Sequence, residues 1–130
     1  INFLCTECSK SRISLCIESN ITPDLFFSLK KKIKNKLYFT FDTGNRVLLN
    51  RDLIKDLLAF KNSIKHIHIK DKNIKRKNVQ LGKGLVNFKS FFQNLKKIKY
   101  RGALTLETTR GKNPIISASK NLNFIKGFIR

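Results

Sequence analysis

Four short runs of the chain alternate between apolar and polar residues, and the stretches between them repeat at helical spacing. From Ile13 to Glu18, the residues Ile13, Leu15 and Ile17 oppose Ser14, Cys16 and Glu18. From Leu37 to Asp42, Leu37, Phe39 and Phe41 oppose Tyr38, Thr40 and Asp42. From Ile64 to Lys70, Ile67 and Ile69 oppose His66, His68 and Lys70. From Ala103 to Glu107, Leu104 and Leu106 oppose Ala103, Thr105 and Glu107. Side chains in a strand point alternately to two faces, so each run predicts a strand with one apolar and one small or polar face.

Helices are expected in between. Residues 1 to 11, with Phe3, Leu4 and Cys8, read as the tail of one. Thr22-Pro23-Asp24 offers a capping hydroxyl, a proline suited to the first turn and an acid near the positive end of the dipole. The stripe Leu25, Leu29 and Ile33 carries that helix to about Asn35. Thr43-Gly44-Asn45 reads as a turn. Asn50 is the expected cap of a helix buried through Leu53, Ile54, Leu57 and Leu58. Asp71 to Lys83 reads as a long polar loop closed by Gly82-Lys83-Gly84. Asn87 caps a helix carrying Phe88, Phe91, Phe92, Leu95 and Ile98. A last helix carries Ala118, Leu122, Ile125 and Ile129.

Strand and helix therefore alternate four times. That order predicts an α/β fold of parallel strands joined by right-handed helical crossovers. An open sheet covered by helices on both sides would read apolar on both faces. A barrel has helices outside and an interior that turns polar at its catalytic mouth. The runs fit a barrel, but four strands cannot close one, and a complete one has eight. The single domain, residues 1 to 130, is expected to be half a barrel. Its partner would be a missing N-terminal half or a second copy. The first residue is Ile, which suggests a cut from a longer chain.

The polar faces end on Glu18, Asp42, His68 and Glu107, in a chain with only eight Asp and Glu among 130 residues. Parallel α/β folds place their chemistry at the carboxyl ends of strands. Three carboxylates and one imidazole converging there make a mostly oxygen site suited to Mn²⁺, Mg²⁺ or Co²⁺, with Zn²⁺ as an alternative. A divalent cation relieves the mutual repulsion of the carboxylates. It can also polarise a carbonyl so that a nearby carboxylate moves the proton on the adjacent carbon. Simpler roles stand beside these. Asp42 could cap the next helix, and Glu18 could cap the helix near Thr22. His66 lies one layer deeper than His68. Asp71 could orient Lys70 or a ligand. Arg76 is either an exposed loop cation or a phosphate contact, and Gly82-Lys83-Gly84 reads as a turn rather than as a phosphate cradle.

The net charge of +20 would ordinarily point to nucleic acid or an anionic membrane. Here the cations are mostly lysines spread along the whole chain, so nucleic acid is not the expected partner. No apolar run reaches the roughly 18 residues of a membrane span, and no signal peptide is visible. Cys5, Cys8 and Cys16 form an odd set, which suggests reduced thiols in a cytoplasmic protein. Cys5-x-x-Cys8 lacks the second pair of a structural zinc site.

The ordered series Phe41-Asp42-Thr43-Gly44-Asn45, His66-Ile67-His68-Ile69-Lys70-Asp71, Leu81-Gly82-Lys83-Gly84 with Asn87-Phe88, and Tyr100-Arg101-Gly102 leading to Leu104-Thr105-Leu106-Glu107 resembles the sugar phosphate isomerase/epimerase family of xylose isomerase-like TIM barrels. The likeness runs from about Ile13 to the end and matches the C-terminal half of that barrel. It implies a divalent metal held by Glu18, Asp42, His68 and Glu107, with Glu18 and Glu107 as the acid/base pair. It also implies a sugar or sugar-phosphate substrate. Asn45, His66, Lys70 and Arg76 are the residues expected to bind it. Many members carry His where this chain has Asn45, which can hydrogen-bond a hydroxyl but cannot transfer a proton. The alternatives are an endonuclease IV-like DNA repair enzyme, which needs more histidines than His66 and His68, and a non-catalytic half-barrel.

Overall fold

The computed structural model describes residues 1–33, 36–49 and 51–129. The elements run α1 (Asn2–Lys10), β1 (Leu15–Glu18), α2 (Pro23–Lys31), β2 (Leu37–Asp42), α3 (Thr43–Val47), α4 (Leu53–Phe60), β3 (Ile64–Ile69), β4 (Asp71–Lys72), β5 (Asn78–Val79), α5 (Phe88–Lys97), β6 (Ala103–Leu106) and α6 (Pro114–Ile129). β1, β2, β3 and β6 form one sheet in that order, with every pair parallel. Among the described residues, β1 and β6 are each paired on one side only.

The apolar face of each run packs under the helices. Leu37, Phe39, Phe41, Ile67 and Ile69 are fully buried there. Phe39 stacks on Phe60 of α4 at 4.1 Å between centroids, and Phe26 of α2 meets both edge-on at 5.3 and 5.4 Å. Each such pair adds about 0.5–1.5 kcal/mol beyond the area it buries. Phe41 reaches Phe91 of α5, and Phe92 stacks on Phe128 of α6. The opposite face carries Cys16, Tyr38, His66, His68 and Thr105, none of them buried, together with Thr40, Asp42 and Lys70, which are buried. Helices on one side and a polar, accessible surface on the other make this a four-stranded arc of a barrel.

One register shift sits inside the arc. Phe39 lies opposite Ile64, yet Thr40 lies opposite His66, so Lys65 is an extra residue in β3. Ile64 and Ile67 are both buried although three apart, which strict alternation would forbid.

Several local expectations are corrected. Thr43-Gly44-Asn45 opens the short helix α3, because Asp42 caps it by accepting from the Asn45 backbone N–H at 2.7 Å. The loop from Asp71 to Lys83 contains the β4–β5 hairpin. The first strand begins at Leu15, and Ile13 is exposed. Leu58 is exposed on α4, and its place on the buried face is taken by Phe60 and by Asp56. On α6 only Ile125 of the expected stripe is buried. Ala118, Leu122 and Ile129 are exposed, because Asn121, Phe124 and Phe128 supply the packing. Asp52 caps α4, accepting from the Ile54 and Lys55 backbones. The expected cap Asn50 and the expected helix end at Asn35 lie outside the described residues.

Candidate metal centre at the strand ends

Each functional side chain is placed by the pleat and the tilt of the sheet. Glu18 shares a row across the strands with Thr40 and His66, while Asp42, His68 and Thr105 form the next row. Glu107 follows β6, and its backbone N–H continues the ladder to the Ile69 carbonyl at 3.1 Å. Three successive rows therefore contribute, and the stagger of tilted barrel strands brings them together. Glu18, Asp42, His68 and Glu107 each present a ligand atom within 4.8 Å of the others. His68 Nδ1 lies 3.2 Å from Glu18 Oε2 and 3.1 Å from Glu107 Oε2.

The two oxygens of Asp42 divide the readings offered by the sequence. Oδ1 caps α3, while Oδ2 points into the cluster and contacts Lys70 Nζ at 2.9 Å. Glu18 does not cap α2. Thr22 does, accepting from the Leu25 backbone at 3.3 Å, and Glu18 Oε1 accepts from the Asn45 amide at 3.2 Å. Lys70 is buried, with Nζ also 2.9 Å from Glu107 Oε2. His66 shares a hydrogen bond of 2.8 Å with Thr105 and meets the His68 ring edge-on. Arg76 is exposed at the tip of the β4–β5 hairpin, with a left-handed φ of 60°.

Burial lifts the Glu18 carboxyl above the ordinary range. The charge of His68 opposes that shift, and Asp42 and Glu107 add to it. Burial would also raise Glu107, but the hydrogen bond and charge of Lys70 reverse it, so Glu107 lies below the ordinary range. Burial would lower Lys70, and its bonds to Glu107 and Asp42 raise it instead. The cluster fits a divalent cation on its own chemistry. Its donors are three carboxylates and an imidazole, buried His68 Nδ1 has no hydrogen-bond partner, and buried Asp42 Oδ2 is met by the Lys70 ammonium as an ion pair.

Beside the cluster lies a cavity of about 240 Å³ lined by Glu18, Ser19, Asn20, Asp42, Asn45 and Arg46. A larger apolar cleft of about 480 Å³ sits at the opposite end of β6, between α5 and α6, and shares no residue with the cluster.

Two supporting groups escape a reading of the strand ends alone. Arg46 is buried, pairs with Asp56, and donates to the Ser19 and Ile21 carbonyls, pinning the loop after β1. The available signal was Asp56 itself, an acid on the apolar stripe of α4, which requires a buried cation. Asp71 is fully buried and accepts the backbone N–H groups of Gly82, Gly84 and Val86 at 3.0, 2.8 and 3.1 Å. The Gly82-Lys83-Gly84 segment thus folds around a carboxylate of its own chain. Gly82 has a φ of +81°, and a Cβ there would come within 2.7 Å of the Phe124 ring.

The fold and this strand-end cluster define a chain of the xylose isomerase-like barrels. It belongs to the xylose isomerase-like TIM barrel family, whose profile matches residues 1–128. Among its relatives is a Haemophilus influenzae protein with a provisional assignment as L-ribulose-5-phosphate 3-epimerase. The two are 32% identical over 126 residues, covering 87% of this chain and 44% of that one. The inosose dehydratase of Clostridium perfringens is 27% identical over 114 residues, covering 72% and 38%. A solved D-tagatose 3-epimerase-like protein superposes with a TM-score of 0.83 at 25% identity, over 98% of this chain and 51% of its own. A xylose isomerase domain protein from Planctomyces limnophilus superposes at 0.84 with 21% identity, over 98% and 50%. The chain spans about half the length of these relatives. No helix among the described residues is long and apolar enough to cross a membrane. Cys5, Cys8 and Cys16 are free thiols.

Proposed function

We propose that this chain carries the catalytic half of a divalent-metal-dependent sugar or sugar-phosphate isomerase or epimerase. The observation that carries the reading is the meeting of Glu18, Asp42, His68 and Glu107 within 4.8 Å at the carboxyl ends of four adjacent strands. These four residues would hold Mn²⁺, Mg²⁺ or Co²⁺, with Zn²⁺ as an alternative. The bound ion would polarise a ketose carbonyl and acidify the neighbouring carbon.

The chain's own groups supply the rest. Glu18 and Glu107 approach His68 Nδ1 from different strands, so they are suited to work as an acid/base pair on two sides of one carbon. Removing the proton on one side and returning it on the other inverts the centre. Removing it and expelling a neighbouring hydroxyl gives a dehydration, so one site serves both reactions named among the relatives. Asn45, which steadies Glu18, and His66, fixed on Thr105, would meet sugar hydroxyls. Arg76, in the hairpin after β3, is the candidate contact for a substrate phosphate. Completion of the barrel by an N-terminal half or a second copy belongs to the same reading.

The test is metal content of the full-length protein, followed by a panel of ketoses and ketose phosphates read by NMR for solvent deuterium uptake. Uptake at the carbon next to the carbonyl, abolished by chelator and restored by Mn²⁺, supports the proposal. A metal-loaded protein that exchanges no ketose proton overturns it.

A further inference from the structure

One basic side chain is built into the ring of acids. Lys70 follows β3 on the same face as His66 and His68, and it is only 6% exposed. Its Nζ lies 2.9 Å from Asp42 Oδ2 and 2.9 Å from Glu107 Oε2. Its backbone is clamped by one hydroxyl. Thr43 Oγ1 accepts from the Lys70 N–H at 2.9 Å and donates to the Lys70 carbonyl at 2.6 Å. Its stem runs against Gly44, where a Cβ would fall 2.8 Å from Lys70 Cγ and 3.0 Å from its Cβ. Glycine is thus the residue that lets this lysine lie flat beneath α3. A solvated lysine needs none of these arrangements.

We propose that Lys70 is a positioning residue that acts as the resident monovalent cation of the cluster, holding Asp42 and Glu107 together and setting how tightly a divalent ion is taken. The inference rests on the metal-site reading above. Three carboxylates and a neutral imidazole carry three negative charges, and an ammonium plus a divalent ion cancels them. Without the ammonium the filled site would keep a net negative charge and grip its cation harder, but Asp42 and Glu107 would lose their shared tether.

Charge and orientation then separate experimentally. In the full-length protein, Mn²⁺ affinity is measured by competition with a fluorescent chelator for the parent, Lys70→Met, Lys70→Arg and Gly44→Ala. Lys70→Met is expected to bind Mn²⁺ about tenfold more tightly, the order Coulomb's law gives for losing one unit charge beside a divalent one in a water-like medium. Its ketose proton exchange should fall at the same time. Lys70→Arg keeps the charge and should stay within about threefold of the parent affinity. Gly44→Ala pushes the lysine stem aside and should tighten binding by about two- to fivefold, and it carries the test alone if Lys70→Met does not fold. Binding that weakens or stays unchanged in Lys70→Met, or in Gly44→Ala where Lys70→Met does not fold, overturns this inference while leaving the metal site standing. A parent protein that takes no divalent ion removes both.

Discussion

Glu107 is the residue on which the proposed chemistry turns. It is half-exposed at the mouth, so exchanging its carboxylate for an amide leaves the packing unchanged. Glu107→Gln should reduce turnover by about 10²- to 10⁴-fold, the usual contribution of a positioned acid or base. Its melting temperature should stay within a few degrees of the parent. Near-normal turnover in that variant would remove Glu107 from the acid/base pair. Tyr100 offers a separate residue-level test. Burial, aided by the nearby Cys16 thiolate, raises its phenol to about 12, and its hydroxyl donates to the Ala103 carbonyl at 3.0 Å. A raised acid favours folding while protonated. Its contribution is therefore full below about pH 10 and lost as the pH climbs to about 12. Urea midpoints at pH 9 and pH 11.5 should show the parent losing stability relative to Tyr100→Phe, and parallel losses would refute the assignment.

At the scale of elements, the loops beside the strand-end cluster are held by buried charges. Asp71→Ala would strip three backbone N–H groups of their acceptor, and about 3 kcal/mol of stability should go with them. Hydrogen exchange should rise first at Gly82, Gly84 and Val86. Protection unchanged at those three amides would contradict the anchoring role. Arg46→Ala should cost about 2–3 kcal/mol by denaturant unfolding, because Asp56 keeps only Arg51 and the Ser19 and Ile21 carbonyls lose their donor. A loss below about 1 kcal/mol would show that water replaces the guanidinium. These supports also mark where the sequence was legible. Alternation in Leu37–Asp42 and the phenylalanine stripe of α5 announced themselves through periodicity, and scarce acids at strand ends announced the cluster. The helix α3, the β4–β5 hairpin and the buried face of α6 did not. The hairpin and α6 lie beside side chains that satisfy distant backbone, as Asp71 and Asn121 do, and no local pattern encodes such a bond, whereas α3 rests on the local cap Asp42 and is too short to show a periodic stripe. Lys70 was legible as a polar-face residue, but its burial between two acids was not.

Across the whole molecule, two properties stand out. The first is the charge of +20, which makes the folded state repel itself. Thermal stability should therefore rise as sodium chloride goes from about 20 to 500 mM, because screening shortens the reach of that repulsion. A melting temperature that falls with salt would mean that ion pairs dominate instead. The second is the arc itself, four parallel strands with accessible rims and an interior open to one side. The cluster is nonetheless assembled within these 130 residues. Whatever closes the barrel would supply the facing wall of its interior, while the four candidate ligands already stand together on this side.

The surplus residue Lys65 in β3 has a consequence for variation at this site. It sets the phase of everything downstream, so that Ile67 and Ile69 meet the phenylalanines while the two imidazoles look inward. Exchanging Lys65 for another exposed residue should be nearly silent. Deleting it would force a choice between turning the histidines under the helices and pulling Ile64 out of the core. Variation in length, more than variation in identity, is what this strand cannot absorb.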